Sequence, residues 1–385
     1  MKNKLALLSL AGLFAAPTFA EIQINGFANL IGGMTLDDDE AVYGYDSDFT
    51  FNPASVFGLQ VRGDVSDKLS ATAQLVGRGS EDYDASFEWA YMTYALSSNS
   101  SVSAGRVRLP LFKYSASLDV GYSYHWLTPP DSVYGVLINN MDGVRYDYTN
   151  YYGDWEYGFQ VFGGRGENGD IDAEKLVGVS FEATRDWFSV RSIYAHTEFT
   201  SPNEDLTTLT DAISNFSAVV PTVTSLSNSF LFEEDSTGFF ELALAIDKYD
   251  WFVGAEYTHI NLKDAPIAAD DAWYITAGMR FGKFTPHITY EHKESDANDV
   301  LEYLDDVPST ISTGDAVTDA TWATLYQTFT AIAAAQDEDR SAVTAGLRYD
   351  VEPGFAVKGE VTWYTDEVND ANDATLLRVG VNYTF

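Results

Sequence analysis

Cations recur on the polar side of segments of alternating polarity, at Arg62, Arg78, Arg106, Arg108, Arg145, Arg348, Lys358 and Arg378. Carboxylates take equivalent positions elsewhere, at Glu182, Glu241, Glu256 and Glu291, with Asp119 and Asp131 in a long connection between such segments. Fixed charges repeated along one face have two uses. Each is neutralised by a neighbour as part of the scaffold, or together they set an electric field across the space that the face encloses and sort solutes by charge and dipole. Arg106 and Arg108 in "GRVRL" are open to both readings, with Asp147 as a structural partner in the first. The field is the reading preferred here. By position, the sequence predicts a basic wall opposite a more acidic one, with Asp64, Asp147 and Glu360 as exceptions on the basic side.

Other chemistry is poorly represented. Histidines stand at positions 125, 196, 259, 287 and 292 without an HExxH run, a Gly-x-Ser-x-Gly elbow or a phosphate-cradling glycine loop. His287 and His292 fall on opposite faces by parity, so they make no obvious metal pair. His259 falls on the apolar side, where a hydrolytic histidine would have to act on lipid, but no motif accompanies it. There is no Cys, which excludes disulfides and thiolate ligands. Neither a cofactor, a metal site nor an enzymatic activity is expected. The acidic run "LDDDEAVYGYDSD" (36–48) lacks the glycine and spacing of an EF-hand and reads as a solvated loop, with divalent bridging to lipopolysaccharide as the alternative.

The elements that must carry these charges are strands. In "TLLRVGVNYTF", Leu377, Val379, Val381, Tyr383 and Phe385 share one face, while Arg378, Gly380, Asn382 and Thr384 share the other. Sixteen such segments are expected, near 22–34, 55–65, 69–78, 86–96, 102–109, 143–150, 155–164, 175–185, 188–197, 236–247, 251–262, 271–281, 285–293, 339–350, 355–365 and 375–385. Two of them, 86–96 and 188–197, have mixed faces. Short turns alternate with connections of about 8 to over 40 residues, and an even strand number with that alternation predicts an all-β, antiparallel transmembrane barrel. Tyr152, Trp155, Trp187, Phe188, Tyr249, Trp251, Phe281 and Phe284 flank the short turns, where aromatic rings gain at a membrane interface. Closure would make neighbours of most of the basic strands, across from the acidic ones.

Composition narrows the class further. A net charge of −36 argues against nucleic acid as a partner, and 15% aromatic residues argues against acidic disorder. Residues 1–20 carry Lys2 and Lys4, an apolar stretch and Thr18-Phe19-Ala20, the pattern of a cleaved signal peptide. The barrel domain is then 21–385. Signal and even strand count together point to a Gram-negative outer membrane.

In strand count, long third connection and terminal Phe385, the chain resembles general Gram-negative outer-membrane porins over essentially the whole of 21–385. That resemblance implies a homotrimeric, water-filled diffusion channel for small hydrophilic solutes, set in lipid and lipopolysaccharide. It also implies that the end of the chain, with Tyr383 and Phe385, is read by the barrel-assembly machinery. The segment 110–142 matches by order and length the third loop that folds into a porin barrel, but lacks the acidic Pro-Glu-Phe-Gly-Gly run of enteric members. Its aromatics, Tyr114, Tyr122, Tyr124, Trp126 and Tyr134, either pack the loop on the wall or form a stacking track for sugars, which would make the channel solute-selective, for sugars or small anions. The loops 198–235 and 294–338 contain apolar runs able to form brief helices over the mouth or toward a neighbour.

Overall fold

The computed structural model describes residues 22–385 apart from 38–39, 136–137, 169–170, 201–203, 224–234, 263–267 and 297–301. The proposed signal peptide lies outside the described residues. Period-2 alternation produces strands wherever the sequence calls for them: β1 (Ile22–Thr35), β2 (Val56–Ser66), β3 (Leu69–Arg78), β4 (Ala85–Ala95), β5 (Ser100–Arg108), β6 (Asn140–Tyr152), β7 (Trp155–Asn168) and β8 (Ile171–Arg185). The series continues with β9 (Phe188–Thr200), β10 (Asp235–Asp247), β11 (Trp251–Leu262), β12 (Asp270–Met279), β13 (Phe284–Ser295), β14 (Glu338–Glu352), β15 (Phe355–Asp366) and β16 (Ala374–Thr384). Each strand pairs antiparallel with its sequence neighbours, and β1 pairs with β16 from Phe27–Thr384 to Thr35–Leu376, which closes the barrel. Closure leaves no unpaired sheet edge along its seam, the condition for a sheet to sit in hydrocarbon.

The outer face is apolar. On β12, Ile275 points outward and is 48% exposed, whereas its neighbour Thr276 points inward and is 3% exposed. The same inversion separates Val361 and Trp363 from Glu360 and Thr362 on β15. At the short-turn end, Tyr152, Trp187, Tyr249, Phe281 and Phe284 are exposed, Tyr249 to 93%. β7 and β8 run further than their sequence pattern suggested, and the connection between them shrinks to 169–170.

Three loops at the long-loop end, among them the β11–β12 connection with Ala268, build a second core of their own. Helices Glu204–Ser214 and Ala316–Ala334 contribute Ile213, Trp322 and Phe329 to it, joined by Phe216, Val220 and Leu304. Asp315 caps the second helix by accepting hydrogen bonds from the backbone N–H groups of Val317 and Thr318.

Wall pairing fails in one place. β4 and β5 pair only from Ala90–Arg106 to Ala95–Ser101, after which β4 stays with β3 and β5 stays with β6. A bulge at Glu88 turns both Glu88 and Trp89 away from the lipid face, which accounts for the mixed pattern of this strand. Gly105, at φ +129°, ends the regular part of β5, and a Cβ there would lie 2.3 Å from the carbonyl oxygen of Ala90.

Candidate functional site

The third loop enters the barrel and is tied to the wall on all sides. It begins at the end of β5, where Arg191 of β9 donates hydrogen bonds to the carbonyls of Pro110 and Leu111 and pairs with Glu241 of β10 at 2.8 Å. Glu256 of β11 accepts from the Lys113 backbone N–H at 3.3 Å and from the hydroxyls of Tyr134 and Tyr274 at 2.5 Å each. Glu291 of β13 accepts from the Ser132 N–H at 2.9 Å and from the Tyr43 hydroxyl at 3.2 Å. These acidic side chains are almost fully buried, so they are anchors rather than a wall open to water.

The basic residues hold the other side. Asp119 lies between Arg78, at 2.9 Å, and Arg108, and both arginines also pair with Glu88, at 3.0 and 3.1 Å. Asn29 of β1 donates to the Asp119 carbonyl and accepts from the Gly121 N–H. Arg348 donates to the carbonyls of Tyr122 and Tyr124, at 2.7 Å each, and pairs with Asp350. Lys358 donates to the carbonyls of Gly121, Tyr124 and Trp126. Arg378 donates to the Thr128 hydroxyl and pairs with Glu360, which in turn accepts from the Leu127 N–H. Asp131 meets Arg340 at 3.4 Å.

Four expected pore residues take no part in holding the loop. Arg106 lies on the outer face, because it pairs with Ala90 on the side of Met92 and Tyr94, and it binds Asp142 at 3.0 Å. Two-residue spacing placed it with Arg108; Arg108 turns inward only because it lies beyond the last β4–β5 pair. Arg62 faces inward near the short-turn end, half-exposed beside Asp64. Arg145 pairs with Asp147 at 3.0 Å, and Glu182 lines the same end of the lumen.

The loop's aromatics pack on one another. Tyr114 and Trp126 meet edge to face at 5.6 Å, Tyr134 lies 4.8 Å from Phe112, and Tyr124 donates to the Leu118 carbonyl at 2.9 Å. With Ile193, Phe239 and Tyr274 of the wall they form an apolar core inside the barrel. Tyr122 lies under Arg348, whose Cζ is 4.6 Å from the ring centroid. His125 shares a hydrogen bond of 3.0 Å with the Thr276 hydroxyl, and burial together with the neighbouring His287 and Lys358 holds its pKa well below the ordinary histidine value.

This crossing narrows the lumen between two chambers. Toward the long loops lies a chamber of about 280 Å³ lined by Tyr43, Arg78, Trp126, Glu291 and Arg378. Toward the short turns lies one of about 670 Å³ lined by Lys113, Tyr122, His125, Glu182 and Arg280. A third, of about 400 Å³, occupies the parting between β4 and β5.

Glu88, Arg191 and Asn29 are site residues that alternation alone did not disclose. Arg191 belongs to a face where Ile193 and Ala195 are also inward, so its strand lacks a polar lumen pattern. The signal lay in the isolated cation itself, since a buried Arg requires acceptors.

No protein-family model matches the chain, and no curated protein matches it. Among solved structures, it is similar to the anion-selective porin from Comamonas acidovorans, with TM-score 0.59 and 11% identity over 95% of this chain and 100% of that one. The outer membrane channel DcaP of Acinetobacter baumannii gives TM-score 0.59 and 11% identity over 97% and 99%. OmpT, an outer membrane protein of Vibrio cholerae, in its trimer form gives 0.52 and 12% over 95% and 99%. The chain therefore has the fold of these outer-membrane barrels.

Proposed function

We propose that the protein is an outer-membrane channel of a Gram-negative bacterium through which small hydrophilic solutes and ions diffuse down their gradients. One observation carries the reading: a closed sixteen-stranded barrel with an apolar exterior holds chambers lined by charged residues at both ends of its lumen, with a loop folded in from the wall between them. A sixteen-stranded barrel is too wide for its own strand side chains to fill, unlike an eight-stranded one. Transport here is binding-free passage and needs neither covalent chemistry nor an energy source.

The similar structures named as a porin and a channel support this reading, and the trimer form among them supports a homotrimer. Lipid and lipopolysaccharide would surround the assembly, and the barrel-assembly machinery would insert it by its Tyr383 and Phe385 end. The field reading of the basic residues is narrowed to those that do not hold the third loop, Arg62 and Arg145, which pair with Asp64 and Asp147 of the wall. Arg78, Arg108, Arg348, Lys358 and Arg378 act on solutes through the loop that they hold.

Liposome swelling with sugars of graded size tests the proposal. Vesicles containing the folded protein should swell in small sugars at rates that fall steeply with solute size. Equal rates with and without protein would contradict it.

A further inference from the structure

Lys358 was expected to face the lumen as a free charge, and the structure gives it different surroundings. It is 2% exposed. An ammonium has three donors and no acceptor. All three meet carbonyls of one short turn of the third loop, at 2.6 Å for Gly121, 2.9 Å for Tyr124, and closely for Trp126. The segment "GYSYHWLT" (121–128) contains no carboxylate, so the groups that meet the ammonium directly are neutral carbonyl dipoles. Arg348 takes the Tyr122 carbonyl and shares that of Tyr124, while Glu360 and Asn29 accept from the N–H groups of Leu127 and Gly121. The wall thus fixes this segment by its backbone, in addition to the side-chain bonds of His125, Trp126 and Thr128 to Thr276, Thr289 and Arg378.

The position of the segment gives this attachment its consequence. Tyr124 borders both the outer chamber and the inner one, Trp126 borders the outer, and Ser123 and His125 border the inner. The turn held by Lys358 is the partition between them. A charge that selects ions must face the water through which they pass. Lys358 does not.

We propose that Lys358 is a positioning residue that holds segment 121–128 across the lumen, and so sets the width of the passage rather than its preference for anions or cations. This inference rests on the channel reading above. Without the ammonium, the carbonyls of Gly121 and Trp126 lose their wall donor while Arg348 keeps those of Tyr122 and Tyr124, so the turn loosens at both ends of that anchor and the passage beside it widens.

The test compares wild type with Lys358→Met, which has similar length and no donor, and with Lys358→Arg, which keeps the charge but replaces a point of three convergent donors by a planar fork. All are measured as folded, detergent-purified barrels in planar bilayers. Lys358→Met should raise the single-channel conductance severalfold, and Lys358→Arg should raise it as well, because geometry rather than charge is lost. An unchanged step size with a reversal potential shifted toward cations in Lys358→Met alone would overturn the inference and make Lys358 a field residue. A second readout uses the absence of native cysteine. Ser123→Cys should react with a hydrophilic thiol reagent too bulky to pass the native channel only from the short-turn side in the otherwise native chain, and from both sides once Lys358→Met is added. Reaction from both sides in the native background would overturn the inference too. Absence of steps from every folded variant would instead overturn the channel reading, and this inference with it.

Discussion

His125 is the side chain on which the third loop's packing meets the pH scale. Its ring lies 3.9 Å from Trp126, 4.5 Å from Phe252 and 4.7 Å from His287, and cations at Lys358, Arg348 and Arg280 surround it. Burial, reinforced by those cations, favours the neutral ring in the folded loop. A histidine whose folded pKa is depressed contributes stability that is fully present above its unfolded value, about 6.5, and is lost as pH falls below it. The loss is at most about 1.4 kcal/mol per pH unit for one proton. Limited proteolysis of the third loop in the folded barrel should therefore speed up as pH is lowered from about 7 to 5. His125→Gln keeps a group able to hydrogen-bond Thr276 and removes one of the two buried histidines, leaving His287, so its cleavage rate should rise less steeply over the same range. Equal acid sensitivity in both proteins would assign the effect to other groups. None of these contacts was legible at the residue scale, because each joins positions far apart in the chain, as Trp126 does with Thr289, 163 residues away.

Strands were the most legible elements, since their facing depends only on neighbours in sequence. A one-residue period error would exchange lumen and lipid faces everywhere, and the outward Ile275 beside the inward Thr276 shows that the alternation was read in the correct phase. Ile275→Arg should destabilise the barrel by about 2–4 kcal/mol in lipid vesicles, the cost of a cation on the lipid face near mid-membrane. Denaturant titration measures it, and a change below about 0.5 kcal/mol, the range of ordinary surface substitutions, would place Ile275 away from lipid. Elements went wrong where regular pairing stops. Arg106 was assigned to the lumen by two-residue spacing, but the Glu88 bulge and Gly105 part β4 from β5 and leave it outside. The inner face of β9 was ambiguous because Ile193 and Ala195 serve the third loop's core, which makes both faces of that strand apolar.

On the scale of the molecule, most of the inward charge is engaged in holding the third loop and in pairs between neighbouring strands rather than facing open space. Arg78 and Arg108 bind Asp119, Arg378 binds Glu360, and Arg191 binds Glu241. The charge left to act at long range is the acid excess, net −36 over the sequence. Such a field raises the local cation concentration and is screened by salt, over about 10 Å at 0.1 M and about 3 Å at 1 M. The measurement that tests the account most directly is single-channel recording of the native protein in a planar bilayer under KCl gradients at those two ionic strengths. Discrete openings, with a cation preference at low salt that fades at high salt, are predicted. A folded barrel that inserts and gives no openings at either salt would contradict the channel.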